Sequence, residues 1–198
     1  MYRGCDISKW NKNPSLKGYD FVIIRAGFGK GNVDPEFYAH VNKCVKLGIP
    51  YGVYWFSYAT CREDAKKEAH YCHEVIKKAA KLPEYPVYID WEADSERYFK
   101  RVNKRSHTTA EYNQFITAFC EEMEALGYYA GIYCDKSHNK KRTTGNKYTI
   151  WLADYTTTNF EGKSDEVHII QTGTKPIDQD ICRINFPSVI KKHGLNGW

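Results

Sequence analysis

The sequence predicts a single-domain α/β fold, an irregular TIM-like (β/α)5(β)3 barrel. Three observations carry this. Eight strand-like runs are spread along the chain. Several of them are continuously apolar rather than alternating, as in a parallel sheet covered on both faces. Helix-patterned segments separate the early runs but not the late ones. At 198 residues, with no Pro-, Gly- or Ser-rich linker and no internal repeat, the chain reads as one domain over 1–198. A doubly wound open sheet is the alternative, but it would normally place helices between its last strands too.

Taken in order, "YRGCDIS" (2–8) comes first and carries Asp6 and Ser8 towards its end. "FVIIRAGF" (21–28) is apolar apart from Arg25. "DPEF" then predicts a helix with Asp34 as N-cap and Pro35 at the first position, and with Phe37, Val41, Cys44, Val45 and Gly48 along one stripe. "YGVYWFSY" (51–58) closes on Ser57 and Tyr58. A second helix follows from Thr60 and Glu63 at capping-box spacing, its buried face drawn through Ala65, Ala69, Cys72, Ile76 and Ala79. "PVYIDWE" (86–92) closes on Asp90 and Glu92. The third helix opens with Thr108 and Glu111, is lined by Tyr112, Phe115, Phe119, Met123 and Leu126, and stops at Gly127. "YAGIYCD" (129–135), "YTIWLADY" (148–155), "EVHIIQT" (166–172) and "IDQDIC" (177–182) complete the set, the last gap being only residues 173–176.

Composition removes several function classes. No apolar run approaches the ~20 residues a bilayer span needs. The opening "MYRGCDISKW" lacks the plan of a signal peptide, which predicts a protein made without a leader or one whose leader was removed. Seven scattered cysteines with no C-x-x-C pair predict reduced, mostly buried thiols rather than a disulfide framework or a zinc site. The net charge of +5 is modest, and the tract at 139–147 reads as a solvated loop, so nucleic acid is not expected as a partner. There is no G-x-G-x-x-G, P-loop or G-x-S-x-G elbow, and no D-x-D-x-D-G loop to hold a cation. His40, His70 and His73 read as helix surface, and His168 as a core or rim residue. Neither metal nor cofactor is expected.

The acids are the informative feature. In a barrel, catalytic groups belong at the C-terminal ends of strands. Asp90 and Glu92 stand two apart and face the interior together, while Trp91 points outward. Alone, they could be two solvated acids at a frayed strand end. With Asp6 and Asp178 on the adjoining first and last strands, they form a carboxylate cluster in which each charge raises its neighbours' pKa. Such a cluster with aromatic walls suits glycosidic-bond cleavage, one crowded acid protonating the leaving oxygen while a second carboxylate handles the opposing charge.

"GCDISKW", "FVIIRAGFG", "GIPYGVYWFSYA", "PVYIDWE", "GIYCD", "IWLADY", "IIQTG" and "IDQD", in that order, make the whole chain resemble the glycoside hydrolase family 25 muramidases. The resemblance implies a β/α barrel with reduced helices on its late strands, acting on the β-1,4 bond between N-acetylmuramic acid and N-acetylglucosamine in bacterial peptidoglycan. It implies Glu92 as general acid, Asp90 as the carboxylate that orients the 2-acetamido group or stabilises the ring, and Asp6 and Asp178 as outer acids. Tyr58, Tyr133 and Trp151 fall where the family has groove aromatics, and Arg25, Asp154 and Gln171 at neighbouring strand ends complete the expected sugar-binding set. Two departures stand out: "IIQTG" keeps Gln171 without the flanking aromatics of W-Q-Y, and Asp180 replaces a common Asn.

The rivals are a chitinase-like hydrolase and a non-catalytic cell-wall sugar-binding barrel. The first fails at Tyr85 and Tyr88, where its strand motif has acids. The second has no use for a crowded acid cluster. The expected protein is a monomer that acts on the bacterial wall, as a phage endolysin released through a pore or as an exported autolysin.

Overall fold

In the computed structural model, residues 1–175 and 177–198 are described. The chain order is β1 (Tyr2–Ile7), β2 (Phe21–Phe28), β3 (Asn32–Val33), α1 (Phe37–Leu47), β4 (Tyr51–Phe56), α2 (Arg62–Ile76), β5 (Val87–Asp90), α3 (Ala93–Asn103) and α4 (Thr109–Ala125). Then come β6 (Ala130–Asp135), α5 (Lys136–Lys141), β7 (Thr149–Ala153), β8 (Val167–Gly173), β9 (Asp178–Cys182) and α6 (Phe186–Lys192). β3 is a two-residue flap paired to β2. The other strands close into a barrel through the β1–β2 pairing.

β1, β2 and β4 to β8 run parallel around the barrel, whereas β9 is antiparallel to both its neighbours, β8 and β1. The cause is chain length. A parallel crossover needs a dozen or more residues, and residues 174–177 allow only a hairpin return. The consequence is positional: Asp178 opens β9 yet sits opposite Asp6, at the end of the barrel where the parallel strands finish.

Continuous apolarity has the predicted cause. In β2, Val22, Ile24 and Ala26 pack outward beneath the helices, whereas Phe21 and Ile23 point inward. β5 alternates likewise, with Val87 and Ile89 outward and Tyr88 inward. The barrel interior is filled by aromatic rings in tiers, from stacked Phe21 and Tyr85 (4.7 Å) up to Tyr88 against Trp151 (5.5 Å). Gly131 makes room for this, because a Cβ there would collide with the Tyr88 ring.

Several local expectations need correction. Asp34 does not cap α1; Glu36 holds that position without a side-chain bond. Asp34 is instead fully buried and accepts from Arg25 Nε (2.7 Å), Lys9 N (3.0 Å) and Glu36 N (3.0 Å). Val45 is exposed, and His40, read as surface, occupies the buried face of α1 with Nε2 3.2 Å from Ser8 O. Cys61 rather than Thr60 is the N-cap of α2, with Thr60 Oγ1 donating to Asp64 (2.8 Å), and Ala79 lies past the helix end. α4 starts as predicted: Glu111 N donates to Thr108 Oγ1 (3.1 Å) and Thr108 N to Glu111 (2.8 Å). α3, α5 and α6 were not anticipated. α3 hides only Ser95 and Phe99, too little for an apolar stripe. All seven cysteines are free thiols, six buried and Cys61 exposed. Among the described residues no helix is long and apolar enough to cross a membrane.

Candidate active site

The parallel strands finish, and β9 begins, around a cleft of about 360 Å³. All four predicted acids, Asp6, Asp90, Glu92 and Asp178, line it, together with Arg25, Tyr133, Trp151 and Gln171 from the predicted sugar-binding set. Asp90 is the last residue of β5 and points inward in line with Tyr88. Trp91 turns the other way, is fully buried, donates through Nε1 to Ala59 O (3.3 Å) and packs on Tyr112 and Phe115. Glu92 then returns to the cleft as the N-cap residue of α3. Its backbone is fastened by Ser95, whose Oγ accepts from Glu92 N (3.2 Å) and donates to Ser57 O (2.6 Å) at the end of β4.

Burial is the main cause of the altered acidity. It raises the Glu92 carboxyl, helped by the charges of Asp94 and Asp135 and opposed by His138 and Arg97. Burial raises Asp90 further, the Glu92 charge adds to it, and Arg25 opposes. Asp90 Oδ1 is buried and has no hydrogen-bond partner among the described residues. Arg25 is itself held by Asp34 and faces the cleft from β2.

Across the cleft a second acidic group forms. Burial pushes Asp6 well above the usual carboxylate range, and the charges of Asp180 and Asp178 push it further. Its Oδ2 accepts from Gln171 Nε2 (2.7 Å), whose own oxygen accepts from Tyr133 OH (3.0 Å) and Tyr155 OH (2.7 Å). Asp180 lies one pleat deeper and accepts from Trp151 Nε1 (2.8 Å); burial and then the Asp178 charge push it up to about 8. Crowded carboxyls of this kind share protons rather than all ionise. The Asn-to-Asp departure at 180 therefore adds a buried proton holder beneath Asp6 and Asp178.

Two predicted residues fall elsewhere. Tyr58 lines adjoining hollows on the same rim, not the central cleft. Asp154 is turned away and almost fully buried, its oxygens taken by Lys163 (2.7 Å), Lys136 (2.9 Å) and Thr156 (2.6 Å). Burial pushes its pKa up, but the bonds from Lys163, Thr156 and Lys136 outweigh it and hold the carboxyl below its ordinary value. Asp154 thus braces the loop after β7 and offers no free oxygen to a sugar. Conversely, Trp10, Tyr54, Phe56 and Asp94 line the cleft without having been singled out, and Tyr155, at the end of the run 148–155, joins them. Trp10 had a signal: it closes "GCDISKW", and at 77% exposure it is a large ring left open beside the cleft.

An α/β barrel closed by eight strands, with a rim cleft of paired carboxyls and aromatic rings, defines a glycoside-hydrolase class of architecture. Residues 5–173 match glycosyl hydrolases family 25, and the chain belongs to that family. Among solved structures, the modular autolysin LytC from Streptococcus pneumoniae, in complex with a synthetic peptidoglycan ligand, is 27% identical with a TM-score of 0.73, over 90% of this chain and 46% of that one. The chain therefore spans about half the length of that autolysin. The catalytic domain of endolysin ply40 from bacteriophage P40 of Listeria monocytogenes (22% identity, TM-score 0.70, 96% and 97% of the two chains) has the same fold. So does a muramidase from Trichobolus zukalii (22%, TM-score 0.73, 96% and 97%). No curated protein matches the chain by sequence.

Proposed function

We propose that this chain is a peptidoglycan hydrolase, an N-acetylmuramidase that cleaves the β-1,4 bond between N-acetylmuramic acid and N-acetylglucosamine. The observation that carries this is the Asp90–Glu92 pair, a buried and a half-buried acid from one strand end opening into one cleft, each raised by burial. Glu92, less buried and fixed at the head of α3, keeps its proton into higher pH and delivers it to the glycosidic oxygen. Asp90, with an unpartnered oxygen, orients the 2-acetamido group and balances charge developing on the ring. Asp6 and Asp178 hold the opposite wall. The autolysin with a peptidoglycan ligand supports the substrate class. The protein acts as a monomer on the bacterial wall, as an endolysin or exported autolysin does.

The test is to digest purified peptidoglycan with wild type and Glu92→Gln, reduce the new ends and identify them. Reduced muramic acid ends from wild type, with a loss of at least ~10²-fold in the variant, are expected. New N-acetylglucosamine ends would mean a different bond is cut. Binding without any new ends would make the barrel a sugar-binding module.

A further inference from the structure

The groove continues past the acids. At Asp94 it opens into a second hollow of about 390 Å³ lined by Tyr58, Asp94, Arg97, Tyr98 and Arg101. Four of these five residues come from α3, at spacings of three, four and seven from Asp94, which is one face of the helix. Glu92 heads the same helix and Asp94 lines both spaces, so the hollow is rigidly tied to the acid.

The chemistry of the two spaces is opposite in sign. The central cleft holds a cluster of carboxyls, which repels an anion and suits uncharged sugar rings. In the hollow, Arg97 is paired to Asp94. Arg101 makes no ion pair among the described residues, and its guanidinium lies 5.1 Å from the Tyr98 ring centroid, against which it is oriented. The Tyr98 ring meets Tyr58 at 4.9 Å to form the wall. One cation is left over, on an aromatic backing, with its planar fork free for a carboxylate.

We propose that this hollow is a subsite for the carboxylate-bearing peptide stem carried by muramic acid, with Arg101 as its anion anchor. This rests on the muramidase reading above. The span fits: eight residues of helix separate Ala93 from Arg101, ~12 Å at the α-helical rise, and a four-residue stem extends to ~14 Å. The sugars then lie over the acids while the negative charge of the stem is drawn along α3, away from carboxyls that would repel it.

The experiment compares two substrates and two enzymes. Glycan strands freed of wall phosphate polymers are used with stems intact and after an amidase has removed them, against wild type and Arg101→Glu. Wild type is expected to show a KM on stem-bearing glycan about fivefold below that on stripped glycan, the scale of an exposed ion pair. Arg101→Glu should abolish that preference by raising KM on the stem-bearing substrate with little change in kcat, and Arg101→Lys should restore part of it. Equal KM for both substrates in wild type, with cleavage intact, overturns the subsite and leaves the muramidase standing. A preference that Arg101→Glu leaves unchanged also overturns it, as does Arg101 dependence that appears only when the phosphate polymers are left on the wall. Cleavage of neither glycan by wild type overturns the subsite and the muramidase together.

Discussion

Glu92 is tuned by what surrounds it, and the tuning has a sign. Burial raises its pKa first, and the next cause is the negative charge of Asp94 two residues on. A general acid works only while protonated, so activity is lost as pH rises through that raised pKa. Asp94→Asn removes the repulsion and also frees Arg97 to favour the ionised form. The alkaline limb of the kcat/KM profile should therefore move to lower pH, and an unmoved limb would show that a different group is the acid. Asp180 makes a second prediction at this scale. Its carboxyl titrates at about 8 in the folded state against 3.8 ordinarily, so the unfolded chain gives up its proton first. Stability falls as pH rises between those values and is level outside them. Asp180→Asn keeps an oxygen to accept from Trp151 Nε1 but cannot ionise. Its Tm should exceed that of wild type by at least ~3 °C at pH 8 and match it near pH 4; the same difference at both pH values would mean that Asp180 carries no such burden. The four rim acids were legible in the sequence because strand periodicity and the barrel rule jointly placed them. Asp154 was misread because sequence spacing does not show Lys136 and Lys163 converging on it from separate loops.

At the scale of elements, the barrel strands were legible while α3, like α5 and α6, was not, and burial explains both the strands and α3. β2 and β5 are buried on both faces, so their runs are apolar apart from Arg25 and the terminal Asp90, while α3 buries two side chains and otherwise meets water. Its role lies in its N-terminus rather than in an apolar face. Ser95 bridges the Glu92 N–H to the Ser57 carbonyl and is itself fully buried. Ser95→Ala leaves both backbone groups without that partner, a cost of ~1–3 kcal/mol in stability. It also lets the head of α3 drift from β4. Misplacing a catalytic group by ~1 Å can cost on the order of 10²-fold, so kcat should drop with KM held, measured beside a urea titration of the same variant. A loss of stability with kcat intact would show that Glu92 is positioned by something else. The missed caps tell the same story: Asp34 has the chemistry of an N-cap, but Arg25 and the Lys9 N–H bind it from outside the helix, and no local pattern records them.

Over the whole molecule the two ends of the barrel have separate duties. At the rim, crowded acids and an unpartnered Asp90 oxygen are held against their own preference for water, and the cost of that has to be met elsewhere. At the opposite end, the side chain of Asn196 is fully engaged. Asn196, in a left-handed turn (φ 54°), is buried against the starts of β5 and β6. Its amide donates to Pro83 O (2.9 Å) and Tyr85 O (3.1 Å), and its oxygen accepts from Tyr129 N (2.8 Å). Three backbone groups from two segments thus depend on one side chain, above the Phe21, Tyr85 and Phe186 rings that fill the barrel base. Asn196→Ala strands all three and gives up the short polar side chain that tolerates the left-handed backbone. The expected loss is about 3 kcal/mol, at the upper end for unsatisfied buried groups, or a fall in Tm of about 6–12 °C for a chain of this size. Because the substitution lies at the far end from the cleft, kcat/KM on peptidoglycan measured well below the new Tm should stay within twofold of wild type. A parallel fall in activity at that temperature would mean the two ends are coupled, and that the barrel does not insulate its strained rim from its base.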